Sequence, residues 1–208
     1  SAVTGKILNT FLDAQKLSML LYSDQVLLIE ALASQLGLLL ADKNKKIATA
    51  ESCTGGWVAE AITQVAGSSE WFDRGFVTYS NDSKKQMLGV KLRTLNQQGA
   101  VSQKAVEEMA VGALKKSKAQ FSVAISGIAG PTGGTDEKPV GTVWLAWNIE
   151  GVVDSSLAML PGERRDVRAA AVTLALQGLL VRLRKCPALG KAEQEKTKEL
   201  PDLLDGSQ

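Results

Sequence analysis

A serine stands where one pattern of side chains gives way to another. Ile47-Ala48-Thr49-Ala50 has strand character, and Glu51-Ser52-Cys53-Thr54-Gly55-Gly56-Trp57 leads from it into a helical pattern. A side chain at such a turn is held out of the sheet. The N–H groups that follow point forward at the positive end of a helix, where negative charge is stabilised. Acyl transfer needs that geometry, because the oxyanion of the tetrahedral intermediate must meet preorganised donors. Gly55 and Gly56 would let a substrate approach the backbone closely. The same residues would also make an ordinary capped helix, since Ser and Thr are favoured N-caps.

Composition narrows the chemistry. The chain has no histidine, which excludes a Ser-His-Asp or Cys-His centre within one chain and removes the imidazole metal ligands. A serine nucleophile would then need a lysine, a carboxylate or a tyrosinate as its base. A lysine serves only when burial or a positive field lowers its pKa. Phe76-Val77-Thr78-Tyr79 reads as a strand. Ser80 to Gly89 reads as a short helix with Asn81 as N-cap and Gly89 as stop. Lys84 then falls in the first helical turn, where the dipole disfavours its protonated form. A solvated surface lysine and a core-filling Tyr79 are the plainer alternatives. Cys53 is the rival nucleophile; without histidine its thiolate would need the helix terminus or Lys84 to lower its pKa.

A third motif runs from Ser126 to Val143, with glycines at 127, 130, 133, 134 and 141 and one lysine, Lys138. It joins Phe121-Ser122-Val123-Ala124-Ile125 to Val143-Trp144-Leu145-Ala146-Trp147. Such loops form backbone nests for anions. This one lacks the Gly-Lys-Ser/Thr ending of a P-loop and opens no helix, so neither nucleotide fingerprint fits. A long hairpin connection is the alternative.

Taken together these segments resemble the C-terminal domain family of the competence/damage-inducible CinA proteins, a domain that also occurs alone as a nicotinamide-nucleotide amidase. The resemblance covers Asp24 to Leu183 and rests on Ala50 to Gly56, Arg74 to Asn81, Lys84, Leu88-Gly89-Val90, Gly99-Ala100-Val101-Ser102, Ser126 to Pro131 and Glu137 to Val143. Ser126 stands where the family often has threonine, and Gly162-Glu163-Arg164 where it often has Gly-Asp-Arg. The resemblance implies hydrolysis of the carboxamide of nicotinamide mononucleotide to nicotinate mononucleotide and ammonia. Ser52 matches the nucleophile, Tyr79 the catalytic tyrosine and Lys84 the catalytic lysine. Glu51, Cys53, Thr54, Gly55, Gly56, Asn81, Ser126, Gly127, Gly130, Lys138 and Arg164 form the expected substrate-contact set. In it the N–H groups of 53–56 make the oxyanion hole, and Lys138, Arg164 and Arg165 are the candidate cations for the phosphate. No cofactor or metal is expected, and a homo-oligomer is implied. The alternatives are a catalytically silent paralogue that binds nucleotide or regulates, and a structural partner in a larger assembly.

These motifs need an α/β scaffold. Helices about 24–40, 54–65, 102–116 and 162–184 alternate with strands 46–51, 72–79, 121–126, 141–149 and 152–160, the last two turning at Glu150-Gly151. That order predicts a mixed sheet of about five strands with helices on both faces, a three-layer αβα arrangement. Residues 1–23 read as an N-terminal extension, 24–184 as the domain and 185–208 as a charged tail. No stretch approaches the roughly 20 consecutive apolar residues of a membrane span. A formal charge of +2 implies no general attraction to nucleic acid. Two cysteines make no disulfide framework, which points to a reducing, cytoplasmic setting.

Overall fold

The computed structural model describes Leu20 and residues 22–186. The expected extension and tail therefore lie almost wholly outside the described residues. The elements run α1 (Tyr22–Asp42), β1 (Ile47–Glu51), α2 (Trp57–Thr63), a 3-10 turn (Ser68–Glu70) and β2 (Phe72–Val77). Then come α3 (Asn81–Leu88), α4 (Leu92–Gln98), α5 (Gln103–Lys115), β3 (Phe121–Gly127), β4 (Thr142–Ile149), β5 (Val152–Met159) and α6 (Arg164–Lys185). The sheet order is β2-β1-β3-β4-β5. β1 pairs parallel with β2 and β3, while β3–β4 and β4–β5 are antiparallel. The expected mixed sheet of five strands is what forms.

The two faces of the sheet carry side chains of different size, because alternate strand residues point opposite ways. Ile47, Phe121, Val123, Ile125, Val143, Leu145 and Trp147 pack against α1, α2 and α6. Ala48, Ala50, Ala124 and Ala146 face α5 with Val106, Met109, Ala110 and Ala113. Small side chains there let α5 lie close to the sheet, and Ser122 Oγ donates to Ala110 O across that contact at 2.8 Å. The α6 side is tight at one point, where a Cβ on Gly178 would lie 2.2 Å from the Trp147 ring.

Helix α1 is long and apolar enough by composition to cross a membrane. Here it is a core helix, with Leu28, Leu32, Leu36 and Leu40 buried in the same cluster as Val172, Leu176, Leu179 and Leu183 of α6.

Three local expectations need correction. The cap of α3 is Ser80, not Asn81: Ser80 Oγ accepts from Ser83 N, and Ser83 Oγ accepts from Ser80 N, which makes a reciprocal capping box. The helix after Ser52 begins at Trp57 rather than 54, because Gly55 and Gly56 adopt φ of 63° and 97° and cannot be helical there. Residues 92–98, which carried no helix expectation, form α4. The β4–β5 turn falls at Glu150-Gly151 as expected, both with positive φ, as a tight hairpin requires.

Candidate functional site

Three neighbouring strands end at the same edge of the sheet, and their following loops carry the three motifs. β1 leads to Ser52, β2 to Tyr79 and Lys84, and β3 to the glycine loop. Ser52 begins its turn with its N–H bonded to Ile125 O of β3 at 3.0 Å and its carbonyl accepting from Gly55 N at 3.0 Å. Its side chain is buried, 8% exposed.

Lys84 is buried to 1% exposure and aims at that serine. Its Nζ donates to Ser52 Oγ at 2.9 Å and to Thr78 O at 2.8 Å, with Tyr79 O at 3.4 Å. Among the described residues no carboxylate pairs with it. Burial without a counter-charge disfavours the ammonium, and the Lys84 pKa falls from 10.5 to about 8. The surface-lysine alternative is thereby excluded. The Cys53 thiol moves the other way, from 9.0 to about 11, chiefly through burial, with the negative charge of Glu51 adding to the effect. A thiol held so firmly protonated is a poor rival to Ser52.

Glu51 stands behind the turn instead of facing a ligand. It is wholly buried, and its carboxylate accepts four bonds from its own chain: Thr54 Oγ1 at 2.7 Å, Gly56 N at 3.1 Å, Val58 N at 3.0 Å and Ala59 N at 2.8 Å. It caps α2 from the preceding strand, taking the part that Gly56 at the N-cap, having no side chain, cannot play. Both carboxylate oxygens, expected among the substrate contacts, are thus engaged by the turn itself. The oxyanion-hole expectation narrows as well. Gly55 N and Gly56 N are already taken, while the Thr54 N–H has no backbone or side-chain acceptor among the described residues and the Cys53 N–H meets only its own Sγ.

Tyr79 is placed differently from expectation. It is its backbone carbonyl that approaches Lys84; its side chain is exposed, and the phenol oxygen accepts from Arg164 Nη2 at 3.1 Å. Arg164 Nη1 also donates to Gly130 O at 2.8 Å, so this arginine ties the tyrosine to the glycine loop. Ser126 Oγ is committed to Ala100 O at 2.8 Å, and Lys138 Nζ to Gln98 O at 2.7 Å. Gly127 closes β3, where a Cβ would meet Val143 at 2.7 Å. Asn81 is exposed at the first position of α3. A cleft of about 630 Å³ opens between the loop and α6, lined by Gly130, Pro131, Arg164, Arg165 and Arg168 among others.

Arg168 is a site residue that the sequence did not single out. Its Nε donates to Cys53 O at 3.1 Å and its Nη2 to Thr54 O at 2.9 Å, with the guanidinium 5.5 Å from the Trp57 ring centroid. The available signal was its spacing: Arg164 and Arg168 lie four apart and so share a helix face.

Fold and site together define an αβα protein whose buried serine is hydrogen-bonded to a buried lysine, with no imidazole. The CinA C-terminal domain family matches residues 29–183, and the chain belongs to that family. It is 54% identical over 149 residues to nicotinamide-nucleotide amidohydrolase PncC of Escherichia coli strain K12, covering 71% of this chain and 90% of that protein. It is 53% identical over 152 residues to the protein of the same name from Pseudomonas putida, covering 73% and 95%. Among solved structures it resembles the competence/damage inducible protein CihA from Agrobacterium tumefaciens, at 47% identity and a TM-score of 0.73, over 75% of this chain and 95% of that one.

Proposed function

We infer that this chain is a nicotinamide-nucleotide amidase, hydrolysing the carboxamide of nicotinamide mononucleotide to nicotinate mononucleotide and ammonia. The observation that carries the reading is the 2.9 Å contact between Ser52 Oγ and a buried Lys84 Nζ whose pKa lies at about 8. Neutral Lys84 accepts the Ser52 proton as Oγ attacks the carboxamide carbon. The oxyanion that forms is met by the N–H groups of Cys53 and Thr54. Collapse breaks the C–N bond, and the protonated Lys84 returns its proton to the departing ammonia. Water then attacks the acyl-enzyme, its proton passes to Lys84 and on to Ser52, and nicotinate mononucleotide is released. No metal or cofactor enters this scheme.

The cleft beside the turn is the place for the nucleotide. Lys138 is already committed to a carbonyl and Arg164 to Tyr79 and Gly130, whereas the Arg165 side chain is 66% exposed, with a 3.4 Å contact to its neighbour Asp166 and its guanidinium 5.6 Å from the Tyr22 ring centroid. Arg165 is thus the freest cation of the three for the phosphate, with Arg164 and Tyr79 shaping the mouth. Residues 24–184 make up the amidase domain. The enzyme acts in the cytoplasm as a symmetric homo-oligomer, a state favoured by the exposed Val152, Leu157 and Met159 on the edge strand β5. An intact Ser52–Lys84 contact weighs against a silent binding module. The deciding experiment is ammonia release from nicotinamide mononucleotide by the purified protein. Tight nucleotide binding without turnover would overturn the reading in favour of that module.

A further inference from the structure

Arg168 holds the nucleophile turn through its carbonyls, with no direct carboxylate partner among the described residues. Two of its N–H groups go to the carbonyls of Cys53 and Thr54, its plane lies near Trp57, and no ion pair includes it among the described residues. Gly55 lies beside the guanidinium, where a Cβ would sit in ordinary contact at 3.7 Å from Arg168 Nη2; it is the φ of 63° that calls for glycine there.

Peptide geometry turns these bonds into a statement about donors. In a trans peptide the C=O and the next residue's N–H point in opposite directions. The described residues contain one cis bond, Gly130–Pro131, so the turn is trans throughout. The Ser52 carbonyl is held by Gly55 N, which directs Cys53 N–H the other way. The Cys53 carbonyl is held by Arg168 Nε, which directs Thr54 N–H away from the guanidinium. The Thr54 carbonyl is held by Arg168 Nη2, which directs Gly55 N–H back toward Ser52 O. Three successive carbonyls are anchored, and Arg168 anchors two of them. What remains outside the turn's own backbone bonding is the pair of N–H groups beside the nucleophile, of which Thr54 N–H has no acceptor among the described residues.

We propose that Arg168 is a positioning residue for the oxyanion hole: it aims the Thr54 N–H by fixing the Cys53 carbonyl, and its charge polarises that peptide into a stronger donor. This rests on the Ser52 acyl-transfer reading. A lysine at 168 could supply the charge but not the two-pronged grip. A phosphate ligand at this position is disfavoured, since two of the guanidinium's three nitrogens already serve the turn.

The test compares Arg168→Met and Arg168→Lys with the parent enzyme on nicotinamide mononucleotide. Active sites are counted by labelling to completion with a serine-directed fluorophosphonate. Removing a single oxyanion donor costs about 10²–10³ in kcat, so weakening one should lower kcat per labelled site by about ten- to a hundredfold in Arg168→Met. KM should stay within about threefold, because the loss is confined to the transition state. The rising limb of the pH–rate profile should not move, and Arg168→Lys should fall between the two. Parent-like kcat per site with only a lower melting temperature makes Arg168 a strut and overturns the proposal. A raised KM at unchanged kcat makes it a substrate ligand and overturns it too. If Arg168→Met does not fold, Arg168→Lys decides by the same readouts. Failure of the underlying reading looks different: Ser52→Ala would keep turning over, or the parent would resist the fluorophosphonate.

Discussion

Replacing Lys84 by methionine removes an amine that folding must bury. In the folded protein this group titrates at about 8, in the unfolded chain near 10.5. Below pH 8 both states carry the proton, and the folded state bears the full cost of a buried ammonium. Between 8 and 10.5 the unfolded chain binds more protons, so stability rises with pH; above that window both states are neutral and the cost is gone. At about 1.4 kcal/mol per pH unit, the span from about 8 to 10.5 corresponds to about 3 kcal/mol. Methionine fills much of the same volume without charge. It also strands Thr78 O, which accepts from Nζ at 2.8 Å, an offset of about 1–3 kcal/mol that does not vary with pH. The observable is therefore a difference of differences. Urea unfolding of the parent and Lys84→Met at pH 7, 8, 9 and 10.5 should show the parent gaining about 3 kcal/mol relative to the variant across the window. The Cys53 thiol shifts in the opposite sense between 9.0 and about 11; both proteins contain it, and Lys84 is the smallest of the influences on it, so most of its contribution cancels. The parent's kcat/KM should rise around pH 8 and level off within about two units above it, because only neutral Lys84 accepts the Ser52 proton. A stability gap independent of pH would mean that Lys84 titrates normally. It would then be almost wholly protonated at pH 7 and could not serve as the base.

Ser52→Ala should lose ammonia release by several orders of magnitude while Cys53→Ala keeps most of it, in a coupled ammonia assay; the opposite result would move the nucleophile to the thiol. Glu51→Gln keeps the shape but supplies donors where four donors converge, and should lower stability by about 2–4 kcal/mol, read as a depressed melting temperature; parent-like melting would refute the capping role. Prolonged chelator treatment should leave turnover unchanged, as a serine–lysine mechanism in a chain without histidine requires; loss restored by one divalent ion would contradict that mechanism. Light scattering at micromolar concentration should give a mass above that of one 22.1 kDa chain, and a monomer mass would refute the oligomer.

How much of the molecule is legible in its sequence depends on how local each cause is. The Ser52 turn is written in adjacent residues, and the missing histidine leaves few bases, so Lys84 stands out without any contact being known. The sheet follows from alternating patterns and a late hairpin. Boundaries are harder to place where neighbouring residues compete for one role. Ser80, Asn81 and Asp82 all cap helices well, and Ser83 decides between them by bonding back to Ser80. Glu51 misleads because a carboxylate beside a nucleophile reads as functional until its four partners are seen. Arg168 is hidden for another reason, since its bonds reach back 115 and 114 positions and exist only because α6 lies against the turn. Tyr79 can be picked out as a residue but not by its direction, which depends on Arg164, 85 positions further along the chain.

The unequal faces of the sheet set how this protein can drift over generations. On the side of α1 and α6, Ile47, Val123, Ile125 and Leu145 belong to a large mixed cluster, where one branched side chain can replace another if a neighbour adjusts. On the side of α5 there is no such slack. Ala48, Ala50, Ala124 and Ala146 act as spacers, and any larger residue lifts α5 from the sheet. That helix is capped by Ser102, just past Ala100, whose carbonyl accepts from Ser126 Oγ at the root of the glycine loop. Substitutions on the alanine face would therefore reach the reaction centre as displacements. Substitution should thus be absorbed locally on one side of the sheet and be felt at the glycine loop on the other.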